Sequence, residues 1–180
     1  AISATPEGSN LEEKAGFYSA LGNLYHASYK YKESLEAHQK ALTLWETLNN
    51  KMGVASENYW VAQRLDMLDK YEESTLHYQK AATLFEELGS KEDLINSYSA
   101  LAEAVMRKKG NTRAEAMQWA SKAYNTAYSL NDKYYLMTTL FTLAYTELDF
   151  NETSQMRRRL TEGLRLAKEL NHQNYITKFQ

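Results

Sequence analysis

The sequence predicts an all-α protein built as a stacked array of helix pairs. Three observations carry that expectation: an internal repeat, evenly spaced helix stops, and a near absence of proline. Residues 31–50 read YKESLEAHQKALTLWETLNN and residues 71–90 read YEESTLHYQKAATLFEELGS. Ten of the twenty columns are identical, where unrelated segments would share roughly one or two. The stops are Leu48-Asn49, Leu88-Gly89, Leu130-Asn131 and Leu170-Asn171, spaced 40, 42 and 40 residues apart. Each sets a leucine before Asn or Gly, the residues that best tolerate a left-handed helix end. The single proline, Pro6, leaves the rest of the chain free of a residue that would break a helix.

Between the stops the apolar pattern places helices at 11–28 and 31–48, 53–68 and 71–88, 92–109 and 112–130, and 134–148 and 153–170. The turns inside the pairs are short and polar: Ser28-Tyr29-Lys30, Asp69-Lys70, Lys109-Gly110-Asn111 and Asp149 to Thr153. Short turns make the two helices of a pair antiparallel neighbours. The expected organisation is a disordered leader at 1–10 and four pairs at 11–50, 51–90, 91–132 and 133–172. Residues 173–180 are expected to begin a further helix or a cap.

The repeated columns resemble the tetratricopeptide repeat. They are Tyr18, Leu21-Gly22, Tyr25, Ser34, His38 and Ala41 in repeat one, and Val61-Ala62, Leu65, Ser74, Tyr78 and Ala81 in repeat two. Repeat three has Tyr98, Leu101-Ala102, Val105, Ala116, Ala120 and Ala123; repeat four has Phe141-Thr142, Tyr145, Met156, Leu160 and Gly163. Small residues in these columns let helices approach, and large neighbours fill the space between them. The forty-residue period is similar to that of spindle-orientation adaptors and of Rap-type and MalT-like bacterial regulators. The resemblance implies a right-handed superhelical solenoid whose first helices line a concave groove for a peptide, protein or small ligand.

On that implied geometry the groove candidates are Ser19, Asn23 and His26 in repeat one, and Tyr59, Gln63, Asp66 and Met67 in repeat two. Repeat three offers Asn96, Ser99, Glu103, Met106 and Arg107; repeat four offers Thr139, Leu143 and Thr146. Amides, mixed charges and aromatic surface suit a peptide backbone; the plainer reading is a set of solvated helix faces. A chaperone-type carboxylate clamp is rejected, because only Asn23 matches it. Ser19, Trp60, Asn96 and Ala100 occupy its other columns.

The remaining features exclude more than they assign. Net charge is −2, which offers no field for nucleic acid or an anionic membrane. The run Arg157-Arg158-Arg159 and the group Arg107, Lys108, Lys109 and Arg113 are read as solvated faces, the last helix being balanced by Glu152, Glu162 and Glu169. Absent cysteines exclude disulfides and thiolate metal sites. His26, His38, His77 and His172 show no recurring ligand spacing, and His38 falls in a packing column, so no metal is expected. Phosphate loops, nucleophile elbows and HExxH are missing, so neither catalysis nor a cofactor is expected. Asn151-Glu152-Thr153 matches a glycosylation acceptor, a common three-residue pattern. The expected function is a non-enzymatic, cytoplasmic module binding a peptide or protein segment. The second reading is the sensing domain of a bacterial regulator, and a third is self-association through the end after Gln173.

Overall fold

The computed structural model describes residues 7–110, 112–147 and 154–179, with side chains from residue 10 onward. Among the described residues every regular element is a helix. The helices are α1 (Glu7–Ala27), α2 (Tyr31–Thr47), α3 (Lys51–Met67), α4 (Tyr71–Leu88), α5 (Lys91–Arg107), α6 (Arg113–Leu130), α7 (Lys133–Glu147), α8 (Ser154–Glu169) and α9 (Gln173–Lys178). They fall into two compact units, residues 1–89 and 90–180. In unit 1, α1 packs on α2, α2 on α3 and α3 on α4; in unit 2, α5 packs on α6, α6 on α7, α7 on α8 and α8 on α9.

Each stop between pairs is a left-handed residue: φ is 53° at Asn49, 70° at Gly89, 55° at Asn131 and 51° at Asn171. The turns inside pairs use the same conformation at Tyr29 (φ 59°) and Asp69 (φ 58°). The amides of Lys30, Asn50, Lys70 and His172 then reach back to the carbonyls of Tyr25, Trp45, Leu65 and Ala167, all at 2.9–3.0 Å. That back-bond satisfies a carbonyl which the helix end would leave bare. The next helix is capped where the sequence allows. Asn50 Oδ1 accepts from the Gly53 amide at 2.9 Å, and Asp132 Oδ1 accepts from Tyr134 and Tyr135 at 2.8 and 3.1 Å.

The small columns sit at the helix crossings. Ala62, Ala102, Ala41, Ala81 and Ala123 are fully buried. In repeat four the expected columns Phe141-Thr142 and Tyr145 are two residues out of register. Leu143 and Ala144 occupy the buried pair, while Tyr145 is 39% exposed. The extra two residues of repeat three lie in the longer connection between α5 and α6, and α7 starts correspondingly later. For the same reason Thr139, Leu143 and Thr146, expected on the groove, are core residues exposed by 2% or less.

Helix α1 begins at Glu7, inside the stretch expected as a leader. Helix α9 lays Phe179 and Tyr175 edge-on against Phe141, at 5.7 and 5.9 Å between ring centres. Phe179 also lies over Gly163, where a Cβ would collide with its ring. The Asp149–Thr153 turn, its glycosylation pattern and Glu152 fall outside the described residues.

Candidate functional site

The unusual chemistry of unit 1 lies where α3 meets α1 and α2. Glu57, Trp60 and Arg64 are spaced three and four residues apart, so they share one face of α3. Glu57 is 3% exposed, and its carboxylate accepts from the Ser19 hydroxyl of α1 at 2.5 Å. Its second oxygen lies 2.8 Å from Nδ1 of His38 on α2, a fully buried ring. A carboxylate only accepts, so Nδ1 carries the hydrogen of that bond. Nε2 of His38 is left buried with no hydrogen-bond partner. Gly22 makes room for this ring, because a Cβ there would come within 2.6 Å of it.

Trp60 joins the second half of the cluster. It stacks on His38 at 6.2 Å, and the Arg64 guanidinium lies 5.6 Å from its ring centre. Arg64 is only 1% exposed, yet its Nε and Nη1 have no partner. Burial pulls the guanidinium below its ordinary value, and the phenols of Tyr78, Tyr31 and Tyr59 act against that pull. His26 closes the seam from α1, its ring 5.8 Å from that of Tyr31 and its buried Nδ1 also unpartnered. Burial, then the charges of Arg64 and His38, hold its imidazole below the ordinary range.

The sequence candidates distribute over both units. In unit 1, Asn23 is exposed, while His26, Tyr59, Gln63 and Asp66 are half-buried. Tyr59 packs edge-on against Tyr78 at 5.6 Å, and the Tyr78 hydroxyl donates to Asp66 Oδ2 at 3.3 Å. In unit 2, all on α5, Asn96 and Arg107 are exposed and Ser99 and Glu103 half-buried. Arg107 pairs with Glu103 at 3.8 Å. Sequence reading passed over Glu57, Trp60 and Arg64. The one available signal was a charge at position 64, inside a helix whose repeat-three equivalent is Ala104.

Two arginines of α8 are paired with carboxylates. Arg165 is held by Glu162 and Glu169 at 2.7 and 3.0 Å, and Arg159 by Glu147. Unit 1 has a hollow of about 720 Å³ elsewhere, lined by Val54, Asn58, Leu76, His77, Lys80 and Leu84 among others. There His77 Nδ1 meets Asn58 Oδ1 at 2.8 Å. Among the described residues no cluster of His, Asp or Glu could hold a metal ion, and no helix is long and apolar enough to cross a membrane.

No protein-family profile and no curated protein sequence matches the chain. Solved structures do. The apo form of RapI aligns over 98% of this chain and 62% of its own, with a TM-score of 0.85 and 19% identity. Aspartyl phosphate phosphatase F from Bacillus subtilis aligns over 93% of this chain and 43% of its own, with a TM-score of 0.85 and 14% identity. The Rap conjugation gene regulator of plasmid pLS20, in complex with the Phr* peptide, aligns over 99% and 47%, with a TM-score of 0.75 and 14% identity. The chain therefore spans less than two thirds of the length of these proteins. At such identities the likeness concerns the fold, which is that of the tetratricopeptide-like helical repeats.

Proposed function

We propose that the chain is a non-enzymatic binding module that takes a peptide segment on the faces of its first helices. The observation that carries this reading is the composition of the α1 and α3 faces. Half-buried aromatic and amide side chains, Tyr59 and Gln63, stand on α3, Asn23 and His26 stand on α1, and a buried seam between these helices holds nitrogens without partners. Extended backbones need such amides, and aromatic rings supply contact area at little entropic cost. Two similar structures carry peptide-related ligands in their own complexes, the competence and sporulation factor and the Phr* peptide. In unit 2 the same role falls to Asn96, Ser99, Glu103 and Arg107 on α5. We read the chain as four repeats at 11–50, 51–90, 91–132 and 133–172, with 173–180 opening a further one.

The sensing domain of a bacterial regulator is a narrower version of the same reading, favoured by the regulator among the similar structures. Self-association through the end after Gln173 would appear as a mass that grows with concentration. The test of the main reading is a displayed library of random peptides selected on the whole chain and on the Tyr59→Ala/Gln63→Ala and Arg107→Ala variants. The expected result is a consensus enriched by the parent chain and weakened by the unit 1 pair. Enrichment no stronger than on an unrelated helical protein would contradict it.

A further inference from the structure

The seam of α1, α2 and α3 carries more basic groups than acids. His38 and Arg64 both lie over Trp60, and His26 is within electrostatic reach of both. Two donor groups of Arg64, Nε and Nη1, are buried without a partner, as are His26 Nδ1 and His38 Nε2, the latter being the acceptor nitrogen of a ring whose hydrogen is on Nδ1. Of the carboxylates there, Glu57 is already committed to Ser19 and His38, and half-buried Asp66, two residues along α3 from Arg64, accepts from the Tyr78 hydroxyl. The phenols of Tyr78, Tyr31 and Tyr59 act on Arg64 electrostatically, and a phenol carries no charge at neutral pH.

A buried charge left without an opposite charge is among the least favourable arrangements in a protein. Ordered water could satisfy the N–H groups, but it leaves the charge in place. A carboxylate does both, since it brings a full negative charge and up to four acceptor sites. His26, Tyr59 and Trp60 are half-buried, so the seam reaches solvent at these side chains.

We infer that this seam is an anion site, anchored by the unpartnered Nε and Nη1 donors of Arg64, and that it takes a carboxylate of the bound peptide. The inference rests on the peptide reading for the identity of the ligand, but not for the existence of the site. It differs from the chaperone-type clamp in its residues: none of Arg64, His26 and His38 belongs to the columns compared above. The carboxylate has two sources, an acidic side chain or a free C-terminus.

The test reads the Nε–Hε resonance of Arg64 in the whole chain, assigned by its loss in Arg64→Met or Arg64→Lys. Sodium acetate is titrated against sodium chloride at equal ionic strength. A saturable shift of Arg64 with acetate alone, while exposed Arg158 stays put, supports the site. An unmoved Arg64 resonance overturns it, whether or not peptides bind elsewhere. Random peptide libraries with free-acid and amidated C-termini then identify the source. A free C-terminus as ligand gives a consensus only in the free-acid library; an acidic side chain gives the same Asp or Glu position in both. In either case Arg64→Met weakens the selected peptide about tenfold or more. An unchanged affinity in that variant overturns the assignment of Arg64 as anchor. Acetate binding with no peptide consensus would keep the anion site and remove the peptide reading.

Discussion

Where unit 1 places Glu57, Trp60 and Arg64 on the first helix of its second repeat, unit 2 places Thr139, Thr142 and Thr146 on α7. Opposite them, His38 is answered by Ala120, and Gly22 by Ala102. All three threonines are buried, and each hydroxyl donates to a carbonyl of its own helix: Tyr135 at 2.7 Å, Thr138 at 3.3 Å and Leu143 at 2.8 Å. The seam of unit 2 packs Ala102, Ala120 and Leu143 against one another with Trp119 beside them, and it settles these polar groups locally, while the buried Nε1 of Trp119 has no partner. That of unit 1 settles some of them across helices and leaves others open. One backbone arrangement thus serves two ends. A self-contained seam contributes stability; an incompletely satisfied one is expected at a functional site, where local rules are broken and offset elsewhere.

The largest contrast should come from removing the central group of each seam. Glu57→Ala strands the Nδ1 donor of His38 in the interior and leaves a cavity beside it, and should cost about 3–5 kcal/mol. Thr139→Ala removes one local hydrogen bond together with its donor and should cost about 1 kcal/mol. Denaturant melts of the two variants make the comparison; equal losses would erase the distinction between the seams.

A middle-sized effect tests the packing side. Gly22→Ala forces a methyl against the His38 ring and should destabilise by about 1–3 kcal/mol, despite a gain in helix propensity of about 1 kcal/mol. Adding His38→Ala recreates the Ala102–Ala120 arrangement of unit 2, so the Gly22→Ala penalty should vanish in that background. Additive losses would mean the ring and the glycine are independent.

The smallest effects are in pH, and they have opposite signs in the two units. Burial holds His26 and His77 below the ordinary 6.5, so the unfolded chain binds more protons there. Their contribution to unit 1 is complete above that value and is lost as pH falls through the lowered ones. In unit 2, burial pushes the Tyr175 phenol up from 10.0 to about 12. Its contribution is complete below 10 and is lost as pH rises toward 12. Tryptophan fluorescence separates the two, with Trp45 and Trp60 reporting unit 1 and, in a variant lacking both, Trp119 reporting unit 2. A shared pH profile would contradict the assignment.

How much was legible in the sequence follows the range of the interactions. The stops at Asn49, Gly89, Asn131 and Asn171 are local, since a left-handed residue and its back-bond involve one helix turn, and the sequence names them. Repeat four is two residues out of register because α7 offers no single apolar stripe: Tyr134, Phe141 and Tyr145 fall on one side of it and Leu136, Leu140 and Leu143 on the other. With periodicity silent, only the longer connection before α6 could have corrected the register. The seam of unit 1 was the least legible part. The bond of Glu57 to His38 crosses nineteen residues and two helices, and no spacing rule announces it. Arg64 on a helix reads as surface until the neighbouring helices are in place. The exposed candidates Asn23 and Asn96 were reachable because family geometry names a helix face. What lies behind that face was not.

The most direct test of the account is the chemical denaturation of Arg64→Met. If Arg64 is kept for a ligand, the free chain carries it at a cost, and a methionine of similar length should leave stability unchanged or raise it by about 1–4 kcal/mol. A loss of several kcal/mol would show instead that the guanidinium holds unit 1 together, and the seam would then be structural in both units.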